Sequence, residues 1–252
     1  MEYIPLEAPG LLVPLCLAAG SLGDLWSVQV VEAVAVFWLA FAAGFMANSL
    51  ADLEVDSRYK TYVSDAVRHI GQRRLVVLIG VHVALALLLT LHLSIVFDNF
   101  RLLLWVGVGI LIALGYSLKP LHLKVRSPFQ VLHNLFSLIM LCLVYYVVGG
   151  TPPPTSVLLV FVGLLLAHYG IELVNQARDC LEDRETGLTT PAVLYGITPT
   201  LVASLVVTLA GLVLAAVGFY LHFSRLPELA VAGRTLGFGA LFAVSLLILA
   251  AA

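Results

Sequence analysis

Apolar residues fill most of the chain in unbroken stretches, set apart by short polar segments. The runs 75–97 and 200–221 contain no Asp, Glu, Lys or Arg. A spanning helix needs about 20 mostly apolar residues. Eight such segments are predicted: 8–22, 28–50, 75–97, 101–117, 130–149, 156–177, 199–222 and 229–252. The first is short, and Pro9 and Pro14 interrupt it. Strands of a membrane barrel would instead alternate apolar and polar positions over about 10 residues. In lipid every backbone N–H and C=O must be paired internally. The pattern therefore predicts an all-α, polytopic transmembrane helix bundle, with 1–252 as a single domain and no long linker.

Composition agrees. The chain is 61% hydrophobic and 11% charged, with a mean hydropathy of +1.05. A soluble domain carries roughly 25% charged residues. The net charge of −2 says nothing about nucleic acid, but no basic stripe is present, and no nucleic-acid partner is expected. Cys16, Cys142 and Cys180 are too scattered for a disulfide framework. Met1-Glu2-Tyr3 lacks the basic start of a cleavable signal peptide.

Charge also orients the helices. The segments after predicted helices 2, 4 and 6 share one face, which carries ten of the 13 Lys and Arg. Arg101, Arg225 and Arg234 fall on the other. By the positive-inside rule the first face is cytoplasmic, which predicts a multi-pass protein of the cell (inner) membrane.

Two segments on that face match each other. Predicted helix 2 ends in Asn48-Ser-Leu-Ala-Asp52-Leu-Glu-Val-Asp56, and helix 6 in Asn175-Gln-Ala-Arg-Asp179-Cys-Leu-Glu-Asp183. Both read N-x₃-D-x₃-D. Spacing i, i+4, i+8 puts one carboxamide and two carboxylates in a stripe on one helix face. Stacked carboxylates repel, and near lipid they are costly to desolvate. Hard oxygen ligands suit Mg²⁺, which binds through one or two carboxylates plus phosphate oxygens. Two facing stripes would hold Mg²⁺ around a diphosphate. Arg58, Arg178 and Arg184, within or just after the motifs, would then contact phosphate oxygens. Solvated helix ends explain a single such motif; two with the same Asn-led spacing on one face call for a ligand.

A third polar element follows predicted helix 4: Tyr116-Ser-Leu-Lys119-Pro-Leu-His-Leu-Lys124-Val-Arg126. It reads either as a cationic lid over a diphosphate or as interfacial anchoring. Glu172 lies one turn before Asn175. An acid inside a span is functional by default, here as a base toward an acceptor or as support for the stripe. His168 and Tyr169 lie further along the same helix, and His82, His92 and His133 are read as packed or hydrogen-bonded. Phe41, Phe45, Tyr145 and Tyr146 either line a tunnel, where a π-face attracts a cation, or face lipid.

Together these elements resemble the UbiA superfamily of intramembrane prenyltransferases. Its first motif, N-D-x-x-D-x-x-x-D, is similar to Asn48, Asp52 and Asp56; its second, D-x-x-x-D, to Asp179 and Asp183. Its Tyr/Lys element is similar to 116–124. The resemblance implies a bundle, usually of nine helices, around a central cavity. It implies Asp52, Asp56, Asp179 and Asp183 as metal carriers, with Asn48 and Asn175 binding metal or orienting carboxylates. Lys119, Lys124 or Arg126 would contact phosphate, and Tyr116 belongs to the same element. Ser49 stands where the family usually has Asp, which removes one possible ligand.

The implied activity is Mg²⁺-dependent transfer of a prenyl group from an isoprenoid diphosphate to a lipophilic acceptor, a quinone-precursor ring or a glycerophosphate-type alcohol, with release of diphosphate. Two other readings stay open at this point. One is a terpene cyclase on the same scaffold, and the other is a divalent-cation transporter. Transporter sites lie near the midplane, whereas these acids sit at helix ends.

Overall fold

The computed structural model describes residues 4–125 and 129–224. The predicted helix 229–252, with Arg225 and Arg234, and Arg126 lie outside the described residues. Among those described, the regular structure is entirely helical. The helices are α1 (Ile4–Ala18), α2 (Val28–Ala51), α3 (Leu53–Tyr59), α4 (Thr61–Ile70), α5 (Gln72–Val96) and α6 (Arg101–Ser117). They continue with α7 (His133–Gly149), α8 (Thr155–Arg178), α9 (Cys180–Glu185), α10 (Pro191–Tyr195) and α11 (Ile197–Phe223).

Four helices, α2, α5, α8 and α11, have the length and composition to cross a membrane. α6 and α7 are apolar but 17 residues each. At 1.5 Å per residue they reach about 26 Å, a little short of the hydrocarbon core. Leu88, Leu104, Leu111, Leu205 and Val213 are each more than 60% exposed. A soluble protein does not sustain such a surface; this is an integral membrane protein.

Three expectations are corrected. The first helix runs unbroken through Pro9 and Pro14 but stops at Ala18, four residues before its predicted end. Each proline removes one backbone donor, which membrane helices tolerate. The stop falls at Gly20-Ser21, whose N–H groups both donate to the Asp24 carboxylate at 2.8 Å. The charged segment after α2 is not a loop: it folds as α3 and α4. α4 buries Ser64 and Val67 and leaves Tyr62, Asp65 and Arg68 exposed, an amphipathic helix fit to lie along an interface. The segment after α8 likewise contains α9 and α10.

α7 is the hub of the packing. Phe136, Met140, Val144 and Val147 join a core with α2, α5 and α6, while Leu141 and Tyr145 join a second with α1 and α8. α8 and α11 approach most closely through glycine. A Cβ at Gly163 would lie 2.5 Å from Gly211 O, and one at Gly218 would lie 2.6 Å from Ser156 O. Ser204 Oγ donates to Gly170 O at 2.6 Å across the same seam. Lipid tails are as apolar as leucine, so helices in a bilayer associate through such close contact. The seam fixes α8, and α8 carries the second motif.

Candidate active site

The two motifs have the same backbone. Asp52 (φ −94°, ψ 4°) closes α2 and opens α3, and Asp179 (φ −89°, ψ 10°) closes α8 and opens α9. Asp suits such junctions, because its short polar side chain favours helix ends over interiors. The helical bonds continue through both. Asp56 N donates to Asp52 O at 2.8 Å, and Asp183 N to Asp179 O at 2.9 Å. Each Asn, Asp, Asp trio therefore stays in register. Burial matches as well: Asp56 and Asp183 are 7% and 8% exposed, whereas the Asp52 and Asp179 side chains are 25% and 24% exposed.

Lysines reach the first aspartate of each motif from elsewhere. Lys124, buried in the turn after α6, binds Asp52 and donates to Asn48 Oδ1 at 3.2 Å. Ser117 Oγ donates to the same oxygen at 2.8 Å. Lys60, at the end of α3, reaches Asp179 Oδ2 at 3.9 Å. The Arg178 guanidinium also holds Asp179, at 2.7 and 3.2 Å. Thr190 Oγ1 donates to Asp183 Oδ2 at 2.9 Å. Tyr59 of α3 donates to Glu185 of α9. The Lys60 and Tyr59 bonds join the two motif ends directly.

Charge crowding shows in the carboxyl groups. Burial pushes Asp56 above the usual carboxylate range, the charge of Asp52 adds to this, and Lys60 and Lys124 oppose it. Burial also raises Asp183; Asp179 adds, while the Thr190 bond and Lys60 oppose. Glu182 is raised by burial against Lys60, with Asp179, Asp183 and Asp56 adding. Asp56 and Glu182 feel each other, so the two acidic ends face one another.

The other sequence candidates divide. Arg58 pairs only loosely with Glu54, at 3.7 Å, and both are exposed. Lys119 and Arg184 are exposed, and neither makes an ion pair among the described residues. Asn175 is half-buried on α8, one turn before Asp179. The Tyr116 hydroxyl lies in the field of Glu172, Asp52 and Asp183, which places it beside both motifs. Glu172 pairs with His133 Nε2 at 3.1 Å. His82 bonds Leu78 O at 2.8 Å, and His92 bonds Glu32 at 3.0 Å, both as the local reading expects. Tyr145 packs on Phe161 in the core, with ring centroids 6.3 Å apart.

Lys60, Ser117 and Thr190 were not singled out from the sequence. For Lys60 a signal existed: it continues the stripe 48, 52, 56, 60 at four-residue steps. Ser117 and Thr190 carry no comparable pattern.

Four carboxylates and two carboxamides form an all-oxygen, hard donor set, in which buried acids carry unfavourable charge. That set fits Mg²⁺. A groove of about 840 Å³ lies nearby, lined by Leu53, Glu54, Ser57, Arg68 and Arg73 among others. Neither Asp52 nor Asp56 lines it, so it is separate from the paired stripes.

The chain matches known proteins in sequence profile and in fold. The sequence profile of the UbiA prenyltransferase family matches residues 8–251. No curated protein matches the chain. Among solved structures, a UbiA homolog from Archaeoglobus fulgidus bound to Cd²⁺ is similar at TM-score 0.66 and 17% identity, over 99% of this chain and 89% of that one. The homolog bound to DMAPP and Mg²⁺ gives TM-score 0.60 at 16% identity, over 99% of each chain. The one bound to GPP and Mg²⁺ gives 0.61 at 16% identity, over 99% of this chain and 100% of that one.

Proposed function

The chain belongs to the UbiA prenyltransferase family, and from that premise we propose that it is a Mg²⁺-dependent intramembrane prenyltransferase. It moves a prenyl group from an isoprenoid diphosphate to a lipophilic acceptor, a quinone-precursor ring or a glycerophosphate-type alcohol, and diphosphate is released. The observation that carries this reading is the mutual facing of two matched Asn-Asp-Asp ends, each tied to a lysine. The similar structures that hold DMAPP or GPP together with Mg²⁺ support the same ligand pair.

In this reading Asp52, Asp56, Asp179 and Asp183 hold the metal, helped by Asn48 and Asn175. Mg²⁺, when bound, offsets diphosphate charge and so favours departure of the leaving group. Lys60, Lys124 and Arg178 already border the carboxylates and would turn to phosphate oxygens, charge-assisted bonds of the strong kind. Arg58, Arg184 and Lys119 sit outside that ring of contacts and would serve as a peripheral basic screen. Tyr116 lies beside both motifs and would border the bound substrate. The motif face is cytoplasmic by the positive-inside rule.

The test is diphosphate release by purified protein in lipid with geranylgeranyl diphosphate and Mg²⁺, with and without a host lipid extract. Release that needs the extract supports transfer, and release without it points to a cyclase or to hydrolysis. No release across several chain lengths would sink the reading. A companion prediction separates the lysines. Lys124→Met is expected to raise KM by at least about tenfold, because a buried charge-assisted partner is lost. Lys119→Met should change KM less than about twofold, as exposed charges contribute little. Equal effects of the two would refute the placement of Lys124.

A further inference from the structure

We propose that His133, His168 and Glu172 form a second metal site, suited to a borderline divalent ion such as Zn²⁺ and separate from the acidic stripes. His168 and Glu172 are four residues apart on α8, so they stand one above the other on one face. His133 enters from the first residue of α7. The three donor atoms all lie within 4.8 Å of one another, and all three residues are half-buried. His133 Nε2 and Glu172 Oε1 are 3.1 Å apart. Zinc with bonds of about 2.0–2.1 Å in tetrahedral geometry sets its donors about 3.3 Å apart. One edge of that tetrahedron is therefore in place. The His168 ring must close by no more than about 1.5 Å to complete a face.

The donor chemistry distinguishes this cluster from the stripes. Two imidazoles and one carboxylate favour Zn²⁺ and its transition-metal neighbours, whereas Mg²⁺ prefers oxygen alone. Three protein ligands leave a fourth position open, the pattern of reactive rather than structural zinc. Tyr116 borders the cluster, its ring 5.2 Å from that of His133. Glu172 lies three residues before Asn175, about 4.5 Å along the helix. A cation there also answers the cost of placing an ionised carboxylate within a spanning helix. Glu172, a candidate base from the sequence, then acts as a metal ligand.

The test does not depend on prenyl transfer. The purified full chain is stripped with a chelator and given Zn²⁺ in the presence of a large excess of Mg²⁺, and bound metal is counted by mass spectrometry. One retained zinc per chain is expected. His133→Gln and His168→Gln should each weaken it at least about tenfold, while Asp183→Asn keeps it. Co²⁺ added to the wild type should show the visible bands of tetrahedral nitrogen and oxygen ligation, which decides the matter if a histidine variant fails to fold. Zinc displaced by Mg²⁺, zinc held equally by the histidine variants, or Co²⁺ spectra of a purely octahedral ion would overturn the site.

Discussion

Asp183→Asn is expected to reduce diphosphate release by about 10³-fold while leaving the protein at least as resistant to heat. The loss follows from removing one charge-bearing metal ligand, an effect of several kcal/mol, and each 1.36 kcal/mol is about tenfold in rate. The stability side follows from burial. Asp183 is 8% exposed and its carboxyl is held above the usual range, first by burial. An acid with a raised pKa binds its proton more tightly in the folded state. It therefore weakens the fold as pH rises from the ordinary carboxyl range to the raised value, and that cost remains at neutral pH. Asparagine removes the charge and can still accept the Thr190 hydrogen bond. Melting of wild type and variant without Mg²⁺, beside the release assay, checks both halves. Asp56→Asn should behave alike, since the first motif repeats the same burial and backbone. A variant that turns over normally would remove Asp183 from the metal set, and one that melts lower would show that the buried charge is satisfied by its neighbours.

The features legible in the sequence are those that live within one helix. The stripes 48, 52, 56 and 175, 179, 183 could be read because helical periodicity alone puts such residues on one face. Both junctions keep that periodicity although one helix ends and the next begins at each first aspartate. Contacts between helices were not legible in this way. Nothing local to Lys60 says that its partner is Asp179, more than a hundred positions away, and nothing local to His133 says that it meets Glu172. Those pairings come from the order in which helices pack, which hydropathy does not encode. The same limit explains α4. Its charged residues gave it the look of a loop, yet Ser64 and Val67 recur at helical spacing and are both buried, Val67 in a core with Ala43 and Ala47. The choice of Lys124 over Lys119 also needed the fold, because only the path of the turn after α6 decides which lysine meets Asp52.

Gly211→Ala should destabilise the protein by about 1–3 kcal/mol, the usual cost of overpacking a filled contact, and Gly211→Val by more. A Cβ at Gly211 would lie 2.6 Å from Ala167 N and 3.0 Å from Leu166 Cβ, so backbone rather than a flexible chain end blocks it. The seam is built from repeated close approaches, Gly163 against Gly211, Gly170 against Ser204 and Thr208, and Gly218 against Ser156 and Val160, and a methyl at one wedges the helices apart along their length. Gly80→Ala on α5 and Gly107→Ala on α6 are the controls. Neither meets an atom within 4 Å, and alanine favours a helix over glycine by about 1 kcal/mol, so both should be neutral or stabilising. Thermal melting in the same detergent compares the four. Activity should follow the seam, because α8 bears Asn175 near its end and delivers Asp179 and Asp183 to the first motif. A tilt of α8 would lengthen the Lys60–Asp179 contact and part the acidic ends. Gly211→Val should therefore lose metal-dependent diphosphate binding even where it remains folded, and a folded variant that binds normally would show that the two motifs are held together by the Tyr59 and Lys60 contacts rather than by the helix seam.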